Sequence, residues 1–272
     1  MHNRLPILAA RLALALSLWT APVTAAEVLR VGGTGGATAL LEQLGRSFTE
    51  RTGIVIDVVP SLGSSGGINA TADGVLDLAV SGRPLSAAER ARGLVTVATI
   101  RTLYVLATSH RHPPAMSERE VVKAYASEKV TWPDGSRVML VLRPRAESDN
   151  QVLIGLFPEM DAALNQARQR SDVPVAATDQ DNADMAERLP GSLIGTTYTQ
   201  VLLERRDLRL VTIDGASPTM EAFGSGAYRY TKVFYILHPR QASLAAKRFI
   251  EFLQSEEGLR TLRAAGCLPT AE

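Results

Sequence analysis

The sequence predicts an α/β chain with parallel-rich sheets, and three observations predict it. Short apolar runs of strand type alternate with segments whose apolar residues follow the helical period. Each of the first two strands leads through glycines into a helix, the strand–helix–strand unit that opens a parallel sheet. The last part of the chain carries only helix signals, which close the molecule with a layer of helices.

The first 26 residues stand apart. Arg4 and Arg11 flank and interrupt an apolar stretch over 5–19, and Ala21, Pro22, Val23, Thr24, Ala25 and Ala26 are the small residues a signal peptidase reads. The stretch is shorter than the roughly 20 residues of a membrane span. It therefore predicts a secretory signal over 1–26, and with no cysteine near the cleavage point a lipid anchor is not expected. The 272 residues allow one large or two small domains, and 46% hydrophobic against 21% charged residues is an ordinary globular balance. The formal charge is +1, and −1 once the leader is removed, so nothing electrostatic points to nucleic acid. The lone cysteine, Cys267, rules out an intrachain disulfide. His110 and His112 sit beside Pro113 and Pro114 without metal-ligand spacing, and no metal or other cofactor is expected.

In order, 28–31 is a strand, and Gly32, Gly33, Thr34, Gly35 and Gly36 turn the chain. Ala37, Leu40, Leu41, Leu44 and Phe48 then mark a helix that ends at Gly53. A second strand over 54–59 leads into Ser61, Leu62, Gly63, Ser64, Ser65, Gly66 and Gly67, and a helix can start in 68–76. A third strand over 76–80 ends at Ser81, after which Ser86 and Glu89 form a capping box. Strands are expected over 95–98 and 102–108, followed by a polar, proline-containing crossing at 109–114. Ser117 and Glu120 cap another helix, 138–142 is a strand, and a helix can open at Ser148 or Asp149. A helix over 181–189 and strands over 192–195, 208–213 and 231–237 follow. Leu244, Ala245, Phe249, Phe252 and Leu253 line a helix face, and a last helix ends at Gly266.

The serine–glycine stretch carries the chemistry. A strand that turns into a helix leaves the first N–H groups of that helix free beside the positive end of its dipole, which suits an anion. Ser64 and Ser65 can add hydroxyl donors, and the glycines let a ligand approach the backbone. The plainer reading is a serine cap with glycines for the turn.

These stretches resemble the phosphate-binding branch of the periplasmic solute-binding proteins of ABC importers. The first loop from Gly33 to Thr38, the Gly63-Ser64-Ser65-Gly66-Gly67 loop, the strand from Asp77 to Ser81 and the terminal pattern from Lys247 to Gly258 carry the likeness, which spans nearly the whole mature chain. It implies a two-lobed periplasmic binding protein-like fold (type II) with a ligand cleft between lobes. It further implies lobes over 27–107 plus 206–272 and over 108–205, a periplasmic monomer, and no catalysis. The implied contacts are Thr38, Ala39 and Ser64 from the first lobe and Arg143 and Ser148 from the second, with Ser65, Gly66 and Ser81 as further ligand-binding candidates. The implied partners are a small oxyanion and an ABC permease in the inner membrane, with a sensor or extracellular partner as the alternative. Two departures stand out: Gly82 replaces a carboxylate of phosphate binders, and the loop from Glu147 to Asn150 has one residue more than the family pattern. Without that acceptor a protonated anion loses its partner, and Glu147 or Asp149 could replace it or the anion could differ. On this reading Gly82→Asp raises the preference for phosphate.

Two rivals use the same residues. Gly63-Ser64-Ser65-Gly66-Gly67 also satisfies Gly-x-Ser-x-Gly, with Ser65 as an esterase nucleophile and Asp214 and His238 downstream. Gly33, Gly35 and Asp57 mimic a dinucleotide fingerprint, although Thr38 stands where its third glycine belongs.

Overall fold

The computed structural model describes residues 27–270, so the predicted leader lies outside the described residues. The chain begins β1 (Val28–Gly33), a 3-10 turn (Gly35–Ala37), α1 (Thr38–Thr52), β2 (Val55–Val59), α2 (Gly63–Ala72), β3 (Leu78–Ser81), α3 (Ala87–Ala91) and β4 (Leu94–Thr108). It continues α4 (Glu118–Ala126), β5 (Met139–Leu140), α5 (Ser148–Leu156), α6 (Met160–Ala167), α7 (Asp179–Arg188) and β6 (Ser192–Thr197). It ends α8 (Tyr198–Leu203), β7 (Arg209–Leu210), α9 (Met220–Ser225), β8 (Thr231–Pro239), α10 (Leu244–Gln254), α11 (Glu256–Ala264) and β9 (Cys267–Pro269).

Local chemistry sets most of these boundaries. α1 buries Leu40, Leu41, Leu44 and Phe48 and stops at Gly53, whose φ of 75° is the left-handed cap that glycine favours. Ser86 with Glu89 and Ser117 with Glu120 form the expected capping boxes of α3 and α4. The serine–glycine stretch differs from expectation, because α2 already starts at Gly63 and the stretch forms its first turns. Glycine is a poor helix former, by about 1 kcal/mol against alanine. Here it is needed at Gly67, where a Cβ would come within 2.6 Å of the Gly33 Cα on β1.

The sheet runs β2-β1-β3-β8-β4-β6-β5, with β7 and β9 also on β4. β1 lies parallel between β2 and β3, and β5 is parallel to β6. However, β8 pairs antiparallel with β3 and β4, and β4 pairs antiparallel with β6, β7 and β9, so the sheet is mixed where parallel-rich sheets were expected. The two strands expected over 95–98 and 102–108 are one: β4 pairs antiparallel with β8 from Leu94 to Leu103 and then with β6 from Tyr104 to Ala107. The chain thus passes from one half to the other inside β4, ahead of the polar segment at 109–114 expected to make the crossing.

Two hydrophobic cores flank that passage, giving the two-lobed α/β fold. One joins α1, β1, β3, β8 and α10, with Phe48 edge-on to Phe249 at 5.2 Å. The other gathers Tyr104, Tyr125, Trp132, Phe157 and Leu193, together with Val211, Ile213, Phe223 and Tyr230. Each such buried side chain contributes about 1.5–3 kcal/mol. The sequence reading did not anticipate α6, α8, α9 or β9.

Candidate functional site

Four helices begin at the same place between the lobes. α1 and α2 bring their first turns from one side, α5 and α7 from the other. The Ser64 and Ser148 hydroxyls, at the starts of α2 and α5, meet at 3.4 Å, and the Gly82 N–H donates to Ser64 Oγ at 2.8 Å. On the other side of the cleft Asp179, the first residue of α7, lies against the backbone of Gly35. A Cβ on that glycine would come within 2.6 Å of its Oδ2. Ser61 and the Gly35 carbonyl contact Gln180, giving a second bridge between the lobes. Helix starts present free N–H groups and positive dipole ends, so their convergence favours negative charge in the cleft.

The charged groups sit behind this ring of donors. Arg143 is 6% exposed; its Nη1 donates to the Ala176 carbonyl at 2.8 Å, and its Nη2 lies 3.4 Å from Glu147 and 3.6 Å from Asp179. Lys232 is 1% exposed and forms an ion pair with Asp149 of α5. Its stem runs beside Gly82, where a Cβ would lie 3.0 Å from Lys232 Cε and would overlap Ser148 Oγ. Burial, and then the neighbouring Asp149 carboxylate, push Asp179 up to about 6 in spite of Lys232 and Arg143. Two cations thus face three carboxylates in a largely desolvated cleft.

Of the predicted residues, Ser64, Ser148 and Arg143 are buried at this point. Thr38 and Ala39 open α1 after Ala37, one residue beyond the glycines that Asp179 overlies. The other three stand differently. Ser65 is exposed and accepts from Arg83 Nη2 at 3.0 Å. Gly66 lies in α2 against Leu62. The Ser81 hydroxyl turns back on its own loop, donating to the Arg83 carbonyl at 2.7 Å and accepting from the Arg83 N–H at 3.1 Å.

The esterase constellation does not assemble. Nδ1 of His238 sits 2.6 Å from the Pro239 carbonyl, and Asp214 accepts from the Glu118 N–H at 3.3 Å, so neither is bonded to Ser65. Among the described residues no group of three His, Cys, Asp or Glu side chains could hold a metal ion.

Sequence reasoning missed Lys232 and Asp179. A signal existed for both. Lys232 shares its strand face with Phe234 and Ile236, so the alternation of β8 points it inward. Thr178 with Asp181 is a capping box, which starts α7 at Asp179, two residues before the expected 181.

A family model described as the PBP superfamily domain matches residues 20–257. No curated protein matches the chain in sequence. Among solved structures, a protein assigned as a phosphate ABC transporter substrate-binding protein, with bound phosphate, from Clostridium perfringens superposes with a TM-score of 0.77 at 16% identity, covering 90% of this chain and 100% of that one. An ABC-type phosphate transport receptor from Vibrio cholerae gives 0.63 at 16% identity, over 88% and 99% of the two chains. The effector binding domain of QuiR in complex with shikimate gives 0.57 at 11% identity, over 84% and 95%. At such identities the likeness establishes the fold, and these ligands differ enough that the fold leaves the ligand open.

Proposed function

Because this chain belongs to the PBP superfamily, a family of solute-binding proteins and not of enzymes, we propose that it captures a small oxyanion, phosphate or a related anion, reversibly and without chemistry. The reading continues with export through the predicted signal over 1–26, a periplasmic monomer, and delivery to an ABC permease. One observation carries it: helix starts from both lobes converge on Ser64 and Ser148, 3.4 Å apart, with a buried arginine behind them. Preorganised N–H groups, hydroxyls and a guanidinium fork are what a desolvated oxyanion needs.

The carboxylates set the terms of that binding. Glu147 and Asp179 already engage the Arg143 fork, so an incoming anion competes with them for it. Gly82 also acquires a different meaning. Its missing side chain leaves the room that Ser148 and Lys232 fill, so Gly82→Asp would displace them and weaken every anion, in place of the gain for phosphate expected from sequence. Calorimetry of the mature chain against phosphate, sulfate, molybdate, tungstate and arsenate tests the proposal. Micromolar or tighter binding of at least one is expected, and binding of none would overturn it.

A further inference from the structure

We infer that one water molecule is built into the second lobe behind the cleft, bridging Tyr104, Arg143, Asp149 and Asn182. Through it Tyr104 and Asn182 act as positioning residues for Arg143, a role toward the ligand that rests on the function proposed above. A small cavity lies there, lined by these four residues with Tyr125 and Gly195 among others, with about 10 Å³ open to the centre of a water-sized sphere. That is the least room a single water needs and too little for a polyatomic ion. Six buried side-chain polar atoms lack a hydrogen-bond partner among the described residues, and four of them belong to this lining: Tyr104 Oη, Arg143 Nε, Asp149 Oδ2 and Asn182 Oδ1. The four residues are between 1% and 6% exposed.

The four atoms form a complete set. Tyr104 O–H and Arg143 Nε–H donate, while Asp149 Oδ2 and Asn182 Oδ1 accept. The Asn182 amide is oriented by its Nδ2, which donates to the Gly195 carbonyl at 3.1 Å. Burial and the nearby Asp149 hold the Tyr104 phenol well above its ordinary value, so it remains a donor. A water can accept twice and donate twice, which satisfies all four. A cation would confront the Arg143 N–H, an anion the Asp149 oxygen, and an apolar filler would leave four buried polar atoms unpaired. Residue 195 must be glycine for this, since a Cβ there would overlap the Tyr104 hydroxyl.

The water would fix the third side of Arg143, whose other nitrogens meet Ala176, Glu147 and Asp179. It would also join that arginine to Asp149, the counter-ion of Lys232. A crystal structure of the mature chain tests the site directly. An ordered water within about 2.6–3.2 Å of all four atoms is expected, and clear density without one, or side chains bonded directly to each other, would overturn the inference. The positioning role is tested by a double-mutant cycle of Tyr104→Phe and Arg143→Ala, read by calorimetry with inorganic sulfate. Tyr104→Phe should weaken sulfate roughly twofold to tenfold in the parent and have no further effect once Arg143 is gone. Equal losses in both backgrounds would refute positioning. If the parent binds none of the anions, the proposed function fails while the water stands or falls on the crystal structure. The cycle is then read on thermal midpoints, where less-than-additive losses support the coupling and additive ones refute it.

Discussion

The two sides of the cleft are built from different material. The first lobe offers backbone N–H groups, glycines and the Ser64 hydroxyl, with no charged side chain buried at the contact. The second lobe and the start of β8, where the chain returns from Tyr230 in the second core to Phe234 in the first, bring Arg143, Glu147, Asp149, Asp179 and Lys232. A neutral half-site needs only a helix start and small residues, which cost little to bury. A charged half-site needs every buried charge paired, so its residues depend on one another.

The largest expected effect breaks that dependence. Lys232→Met leaves Asp149 buried without its cation and should cost about 3–5 kcal/mol, or roughly 6–20 °C in Tm. Adding Asp149→Asn should recover most of the loss, because no unpaired charge then remains. A single variant as stable as the parent in thermal unfolding would show that the pair is not coupled as its burial implies.

Arg143→Ala comes next. A hydrogen bond to a charged group contributes about 1.5–3 kcal/mol, so oxyanion affinity should fall by roughly tenfold to more than a hundredfold in calorimetry. Arg143 is buried and holds the Ala176 carbonyl, so Tm of the ligand-free protein should fall as well.

Asp179 sharpens the comparison through pH. Its value is raised to about 6, so its contribution to stability is full below the ordinary carboxylate range and is lost as pH rises through about 6. Asp179→Asn should therefore raise Tm at pH 8 and change little at pH 4. Sulfate does not titrate in this range, and its affinity for the parent should increase from pH 8 to pH 5.5 as a competitor for Arg143 is neutralised. The Asp179→Asn variant should flatten that rise, and an equal slope in both proteins would assign it to another group.

The neutral side should respond least. Ser64→Ala removes a hydroxyl that accepts from the Gly82 N–H and contacts Ser148, worth about 0.5–1.5 kcal/mol, while the helix N–H groups remain. Ser65→Ala should leave binding within experimental error, since that hydroxyl is exposed and turned to Arg83. A larger loss at Ser65 than at Ser64 would invert the assignment within the loop.

Sequence by itself determined what local rules govern. The glycine cap at Gly53, the capping boxes at Ser86 and Ser117 and the apolar face of α1 are decided within a few residues, and so is a serine-bearing helix start that suits an anion. Only the tertiary structure decided that the strand halves before and after Thr99 are one strand joining the lobes, and that Ser81 turns away from the cleft while Ser148 enters it. It also decided the charge balance. Asp149 and Lys232 are 83 positions apart, and Arg143 and Asp179 are 36 apart, so neither pairing is written in any local pattern. Whether a buried charge stabilises or destabilises depends on what stands within a few ångströms of it, and that distance is fixed by how the lobes pack.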